Sequence, residues 1–504
     1  MIMYLLPRPR AAGVVPAAFA TFLLAGCAVG PDFHRPAPPS AIAYRPGALA
    51  PHDAAQEFVV GLDIPGQWWA LFRSAPLNAL IDHALAANPN LAAAQAALRQ
   101  AREDVYAQEG NFFPNISGGF EPSRTKTATR SVSIASANGS PYFSLYTAQL
   151  SVSYSPDVFG LNRRQVENLV ATAEQQRFQL EATYLTLTSN LVAAAINEAS
   201  LRAQIAATQQ IIAAEQALLA VLHRQLDVGQ VAPIDVLAQQ AALAQAQASL
   251  PPLQKQLDQQ RDALAVLAGE TPDRTLPETF SLDQILAPRQ LPVSIPAVLV
   301  NQRPDIRQAE ENLHAASANV GVAVANRLPL LNLTAAGGSQ ANYFDQLFAP
   351  GNGFWTIAAS LTQPIFEGGI LLHRDRAARA ALDQAKAQYR ATVLTAFQNV
   401  ADCLAALQAD ADAVAAATVA RQAASETLRI VKLQVSLGQV AYLGILNAQQ
   451  TALQAEITLV QAKANRLADT AALFQAMGGG WWHRSDVAVQ DISGNDPLAV
   501  IGVH

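Results

Sequence analysis

Two stretches of this chain, residues 161–228 and 370–437, contain neither glycine nor proline. Those are the two residues that most readily end a helix. About 67 residues at roughly 1.5 Å each make a rod of about 100 Å. Leu180, Tyr184, Leu187, Leu191 and Ala194 step four-three-four-three along the first, the seam of a coiled coil. Each rod meets a Gly-Gln-Val-Ala turn, at 229–232 and 438–441, and returns as another helix, over 234–268 and 443–476. Pro251-Pro252 is expected to kink or break the first return helix. Leu253, Leu257, Leu264 and Leu267 resume the seam beyond it. The abundant alanine supports helix and lets helices approach closely.

The chain is written twice. Residues 89–114 align without a gap on 304–329: Pro89 with Pro304, Leu98 with Leu313, Val105 with Val320, Asn111 with Asn326 and Pro114 with Pro329. The turn at Gly229 aligns with that at Gly438, Leu237 with Leu446 and Gln240 with Gln449. Shared prolines make chance likeness between alanine-rich helices a poor explanation. Two homologous halves, 75–268 and 297–478, therefore repeat one order of elements. Residues 269–296, with Pro272, Pro277, Pro288, Pro292 and Pro296, read as the linker between them, and 479–504 as a tail.

Each half opens with a helix marked by Leu91, Ala94, Leu98, Ala101 and Val105 or their counterparts. Beyond that helix the pattern alternates. Tyr146, Ala148, Leu150, Val152 and Tyr154 interleave with Thr147, Gln149, Ser151, Ser153 and Ser155. In the second half Trp355, Ile357, Ala359 and Leu361 interleave with Thr356, Ser360 and Thr362. Period two means strands with one greasy and one wet face, expected over 144–156 and 354–366. Shorter strands precede them at about 115–122 and 330–338, carrying Ile116, Phe120, Leu331 and Leu333. Phe112, Phe113, Tyr142, Phe143, Phe354, Trp355 and Phe366 cluster at the ends. Ten-residue alternating segments with aromatic girdles match the pattern of membrane β-barrel strands. The polar stretches 123–141 and 339–353 read as exposed loops.

Four such strands cannot close. Membrane barrels start at about eight strands, and an open edge in lipid leaves backbone groups unpaired at several kcal/mol each. Other copies of the chain must complete the sheet. Two copies give eight strands, whose side chains would nearly fill the interior. Three give twelve and leave room for water, above twelve helical strands. The geometry calls for at least three copies without fixing that number.

Composition removes other classes. Only 14% of the residues are charged, where roughly 25% is usual. Net charge is −6, which speaks against nucleic acid as a partner. With 51% hydrophobic residues the chain is not a disordered one, and two cysteines, Cys27 and Cys403, cannot form a disulfide framework. After residue 26 no run of about 20 mostly apolar residues is expected, which speaks against a polytopic helical membrane protein. Arg8 and Arg10, a short apolar stretch at 11–25 and small residues before Cys27 make a signal peptide over 1–26. Leu24-Ala25-Gly26-Cys27 resembles a bacterial lipoprotein box, which implies that Cys27 is acylated, as with palmitate, and begins the mature chain. A plain signal with an incidental cysteine is the simpler alternative. Ala28 rather than aspartate at the next position implies, by resemblance to sorted lipoproteins, the outer membrane of a Gram-negative bacterium. Residues 27–74, with prolines at 31, 36, 38, 39, 46 and 51, form an extended amino-terminal arm.

Trp68-Trp69-Ala70-Leu71-Phe72 followed by Pro76-Leu77-Asn78-Ala79-Leu80-Ile81 resembles the opening of TolC-like outer-membrane efflux proteins, in their NodT-type lipoprotein branch. Arg303-Pro304-Asp305-Ile306 with Ala309-Glu310 and Leu313 is similar to that family's most recognisable signature. Gly438-Gln439-Val440 with Leu446-Asn447-Ala448-Gln449 resembles its helix-tip motif. The resemblance implies a mainly α fold with membrane β structure: a homotrimeric twelve-strand barrel above a long α-helical periplasmic tunnel. It implies an exit duct for small molecules such as drugs or aromatic compounds. It further implies a periplasmic adaptor protein and an inner-membrane transporter of the resistance-nodulation-division type as partners. Carried over by position, Gly229, Gln230, Gly438 and Gln439 are candidates for meeting the adaptor. Leu443, Gly444, Asn447 and Asp235 are candidates for the constriction. Acidic rings occupy those places in many members, so their absence implies weak binding of multivalent cations at this tip. Asp235 is the carboxylate of the other turn, with a helix N-cap after Pro233 as its simpler role.

No catalytic constellation stands out. The eight histidines are scattered, no Cys-x-x-Cys pair occurs, and no Gly-x-x-x-x-Gly-Lys loop is present, so neither enzyme chemistry nor a cofactor is expected. Arg303 and Asp305 read as structural, Asp305 suiting a helix start. Cys403 reads as a small packed residue, and Gly478-Gly479-Gly480 as the end of the last helix. The outlet of a type I protein-secretion system is the alternative function, and a periplasmic structural scaffold a third. The lipoprotein box and tip motif favour small-molecule efflux.

Overall fold

The computed structural model describes residues 28–41, 43–45, 56–126, 142–274, 276–440 and 443–484. Cys27 and the tail beyond Arg484 lie outside those residues. The chain runs β1 (Glu57–Val60), α1 (Ala75–Ala87), α2 (Pro89–Glu109), β2 (Asn115–Lys126), β3 (Tyr142–Tyr154), α3 (Leu161–Asp227) and α4 (Pro233–Leu267). It continues through β4 (Gln290–Val293), α5 (Pro296–Gln302), α6 (Pro304–Ala325), β5 (Leu330–Ala341), β6 (Gly353–Thr362), α7 (Ile370–Ser436) and α8 (Leu443–Ala476).

The two rods are single helices of 67 residues each, and they begin 209 residues apart. Each starts after a glycine in the left-handed region, Gly160 at φ 77° and Gly369 at φ 89°. The seam residues Leu180, Tyr184, Leu187, Leu191 and Ala194 are buried. They join Trp68, Trp69, Phe72, Leu77, Leu80 and Ile81 in one core with Leu467 and Phe474 of α8 and Met477 just after it. Trp68 stacks on Phe474 at 5.4 Å, so the tryptophan pair nails the segment before α1 to the returning helix.

Several expectations need correction. Pro251-Pro252 does not break α4, which is continuous from Pro233 to Leu267. Each proline removes one helical donor, but Gln247 and Ala248, whose carbonyls are freed, lie on an exposed stretch where water can serve them. Residues 269–296 are more than a linker. They contain β4, which pairs in parallel with β1 of the arm, Phe58 opposite Leu291. The strands also differ in extent. β2 runs on to Lys126 because β3 offers it a partner as far as Tyr142, and β6 stops at Thr362, before Pro364. Both rods hold an 18-residue window apolar enough to cross a membrane by composition, with mean hydropathy 1.4 and 1.3. The expected lack of any such run therefore does not hold.

Candidate functional site: a two-faced sheet and two helix tips

Four antiparallel strands form one sheet in the order β2-β3-β5-β6. Its register brings the alternation of all four strands into phase. Ile116 pairs with Val152, Gly118 with Leu150 and Phe120 with Ala148. Val152 continues to Ala335 and Leu150 to Gly337, and these continue to Ile357 and Trp355. The opposite face carries Ser117 beside Ser151, Gly119 beside Gln149, Ser153 beside Thr334, and Asn332 beside Ser360. Over these positions one surface is apolar and the other mostly hydroxyl- and amide-bearing, while Arg124 and Lys126 stand at the far end of the apolar face on β2. Trp355, Ile357 and Leu361 are 77%, 76% and 70% exposed, which no water-soluble sheet would sustain. Phe344, in the turn after β5, sets its ring against Phe120 and Tyr146 on the apolar side. Strands β2 and β6 each keep one unpaired edge in the single chain.

Far from the sheet, each rod ends in the same cap. The Gly229 amide donates to Leu226 O at 2.9 Å and Gln230 to Gln225 O at 2.8 Å. Gly438 and Gln439 repeat this on Val435 and Gln434, at 3.0 and 2.9 Å. This is the Schellman arrangement, with φ 75° and 70° at the two glycines. Gly229, Gln230, Gly438 and Gln439 are all exposed at the extreme tips. Asp235 is not the N-cap, a place held by Ala232. It lies in the first turn, and its carboxylate accepts the Ala232 amide at 3.2 Å. Pro233, at the first helical position, shifts the cap one residue back. Gly444 and Asn447 lie one turn apart at the start of α8, with Asn447 exposed and Gly444 close to Val440. Leu443 is the first residue of that helix. No described hydrogen bond or ion pair joins Asp235 to Gly444 or Asn447.

Sequence reasoning missed a polar clasp that ties the amino-terminal arm to the helices. Val29 donates to Phe159 O, and Arg164 reaches Val29 O at 3.0 Å and Asp32 at 2.7 Å. Arg35 holds Glu310 at 2.7 Å and Asn301 at 2.6 Å, while Phe33 stacks on His314 at 4.3 Å. His314 lies between Glu167 at 3.1 Å and Glu311 at 3.4 Å. Its hydrogen bond to Glu167, then that to Glu311, push its pKa up to about 9. The same His314 contact, together with Arg164, holds the Glu167 carboxyl below the usual range. Backbones also meet: a side chain on Gly30 would run into Gly321. The Arg303–Asp305 motif is structural as expected. The guanidinium grips Asp305 at 2.7 and 3.0 Å and reaches Ala476 O at 3.1 Å, fastening α6 to the end of α8. Cys403 is half-buried in α7, and burial pushes its thiol up to about 11. Among the described residues no group of metal-ligating side chains gathers.

The model of the outer membrane efflux protein family matches residues 80–270 and 296–479, one segment in each half. The chain belongs to that family. Across 491 residues it is 28% identical to the toluene efflux pump outer membrane protein TtgC of Pseudomonas putida, covering 95% of this chain and 98% of that one. The open-state outer membrane channel MtrE of Neisseria gonorrhoeae superposes with a TM-score of 0.78 at 25% identity, over 91% of this chain and all of MtrE. The CmeC channel of Campylobacter jejuni shares the fold, with a TM-score of 0.81 at 23% identity over 94% and 98% of the two chains. This protein is an outer-membrane efflux duct and not an enzyme.

Proposed function

We propose that three copies join edge to edge, β6 of each meeting β2 of the next, to make a twelve-strand barrel with the apolar face in lipid and the polar face around a watery bore. The observation that carries this reading is the in-phase sheet with two unpaired edges. Three copies are the smallest ring that leaves a bore. The rods continue that bore into the periplasm as a helical tunnel. Cys27 anchors each copy through its acyl chains. The position of Ala28 supports this: a side chain on Gly160 would lie 2.6 Å from the Ala28 Cα, so the arm starts at the foot of the sheet, where a lipid leaflet would end. More than one acyl chain gives a stable anchor.

The tips carrying Gly229, Gln230, Gly438 and Gln439 meet a periplasmic adaptor, which connects the duct to an inner-membrane transporter of the resistance-nodulation-division type. Leu443, Gly444 and Asn447 form the narrow end of the tunnel. The cargo is small and apolar or aromatic, in keeping with the relatives named for toluene and other solvents. A strain lacking the protein should become sensitive to toluene and to amphiphilic antibiotics, and the wild-type gene should restore resistance. Unchanged susceptibility together with the loss of one secreted protein would instead make the duct a protein-secretion outlet.

A further inference from the structure

The internal repeat extends to the pairing of the strands. Ile116 faces Val152 across β2 and β3. Their counterparts, 215 and 209 residues further on, are Leu331 and Leu361, and these face each other across β5 and β6. Asn115 with Ser153 and Leu330 with Thr362 obey the same two offsets. The two hairpins therefore share one register. The offset of 215 also relates the starts of α2 and α6, and that of 209 the starts of the two rods. The helices α2, α3, α6 and α7 touch in that order, which is the order of the strands they join.

One junction between hairpins lies inside the chain, where β3 runs beside β5. There Val152 faces Ala335, Ser151 faces Ala336 and Tyr154 faces Leu333. The junction is staggered by four residues: Asn115 leads across Ser153 to Thr334, whose counterpart in the first half is Gly119. The strands with a free edge, β6 and β2, are the repeats of β3 and β5. Carrying β3 forward by 209 and β5 back by 215 turns Val152–Ala335 into Leu361–Phe120. Ser151–Ala336 becomes Ser360–Glu121, and Tyr154–Leu333 becomes Gln363–Gly118.

We infer that β6 of one copy joins β2 of the next in this register, with Leu361 opposite Phe120 of the next copy and Ser360 opposite its Glu121. The inference rests on the ring of copies proposed above and specifies how its edges meet. Leu361 is 70% and Phe120 53% exposed in the single chain, and this register lays one against the other on the apolar face. A slip of one residue would exchange the two faces. A slip of two would set Leu361 against Gly118 or Pro122. A slip of four toward the foot restores an apolar partner, Ile116, but cancels the stagger that the inner junction has. Tilt and stagger are linked in a closed barrel, so equal steps at every junction let all the hairpins share one tilt. Pro122 lies on the free edge of β2 and has no amide to donate, a common guard against stray pairing.

Cysteine pairs read the register directly. Residues opposite each other in an antiparallel pair lie about 4.5–5.5 Å apart, within disulfide reach, and diagonal neighbours about 7–8 Å. The full-length chain with Cys403→Ser is expressed in outer membranes with Ser360→Cys and Glu121→Cys together, oxidised, and run without reductant. The expected product is a covalent trimer that reductant dissolves. It should exceed by about fivefold the yield from Ser360→Cys combined with Gly119→Cys or with Ser123→Cys. Leu361→Cys with Phe120→Cys gives the same reading from the apolar face. A slipped pair that cross-links best would overturn the register and leave the ring standing, as would an assembled trimer in which no pair cross-links. Monomers by native mass spectrometry, with no cross-link in any pair, would refute the ring and the register together. Should the cysteine variants fail to assemble, photoreactive benzoylphenylalanine in place of Ser360 decides. Adducts centred on Glu121 of the next copy support the register, and adducts centred elsewhere overturn it.

Discussion

Helices α3 and α7 have the same length, begin after the same kind of glycine and end in the same cap, yet they live in different surroundings. α3 packs against α2, α4, α6 and α8, and sits at the middle of the protomer. α7 packs chiefly against α6 and α8, and leaves Leu394, Val419 and Leu433 more than half exposed. The charges follow. α3 buries Arg164, Glu181, Glu198 and Glu215, whereas the matching positions of α7 are His373, Arg390, Leu407 and Ala424. One duplicated rod has become a hub and the other a flank with more apolar surface left open. Duplication supplied the length, and later divergence supplied a sidedness that suits the proposed ring of copies.

The sharpest way to break this comparison is at Glu181. It is 3% exposed and pairs at 2.7 Å with Arg484, whose guanidinium also lies over the Tyr184 ring. Glu181→Ala removes the carboxylate that pairs with a buried cation and should cost about 3–5 kcal/mol. Arg390→Ala, at the exposed counterpart in α7, should stay within about 0.5 kcal/mol. Chemical denaturation of both variants compares the two rods directly, and equal losses would erase the distinction between hub and flank.

A smaller effect tests the clasp on the hub's outer side. The His314 pKa is raised to about 9 by Glu167 and Glu311. Its contribution is therefore complete below the unfolded value of about 6.5 and is lost as the pH rises through about 9. Partial exposure brings the effect to the order of 1 kcal/mol. Between pH 6 and 10 the thermal midpoint of the wild type should fall further than that of His314→Gln. Parallel pH profiles would show that the imidazolium does not hold the arm.

The smallest effect lies at the tips. Asp235→Ala removes the reach-back bond to Ala232 and should loosen the start of α4 by about 0.5–1 kcal/mol, read as faster amide exchange over 230–236. The matching residue of the second tip is Gly444, which has no such bond to lose. Exchange there should be unaltered.

The rods were legible because glycine and proline are absent over both spans, and the two faces of the sheet because period two survives in Tyr146–Tyr154 and Trp355–Leu361. The tip caps were legible from the repeated Gly-Gln. The clasp was not. Asp32 and Arg35 find Arg164 and Glu310 more than a hundred residues away, and an arm rich in proline has no periodicity to betray which of its charges will be used. The extent of β2 was underestimated because a strand's length is set by its partner as much as by its own residues.

The clasp also has a mechanical side. With Val29 held on Phe159 and Asp32 on Arg164, tension on the amino-terminal end enters the first turn of α3. A tug from the proposed acyl anchor would thus be delivered to the start of a rod 67 residues long, whose far end is the Gly229 tip. The tether works as a drawbar, and the shaft it pulls is stiffest along the line of pull.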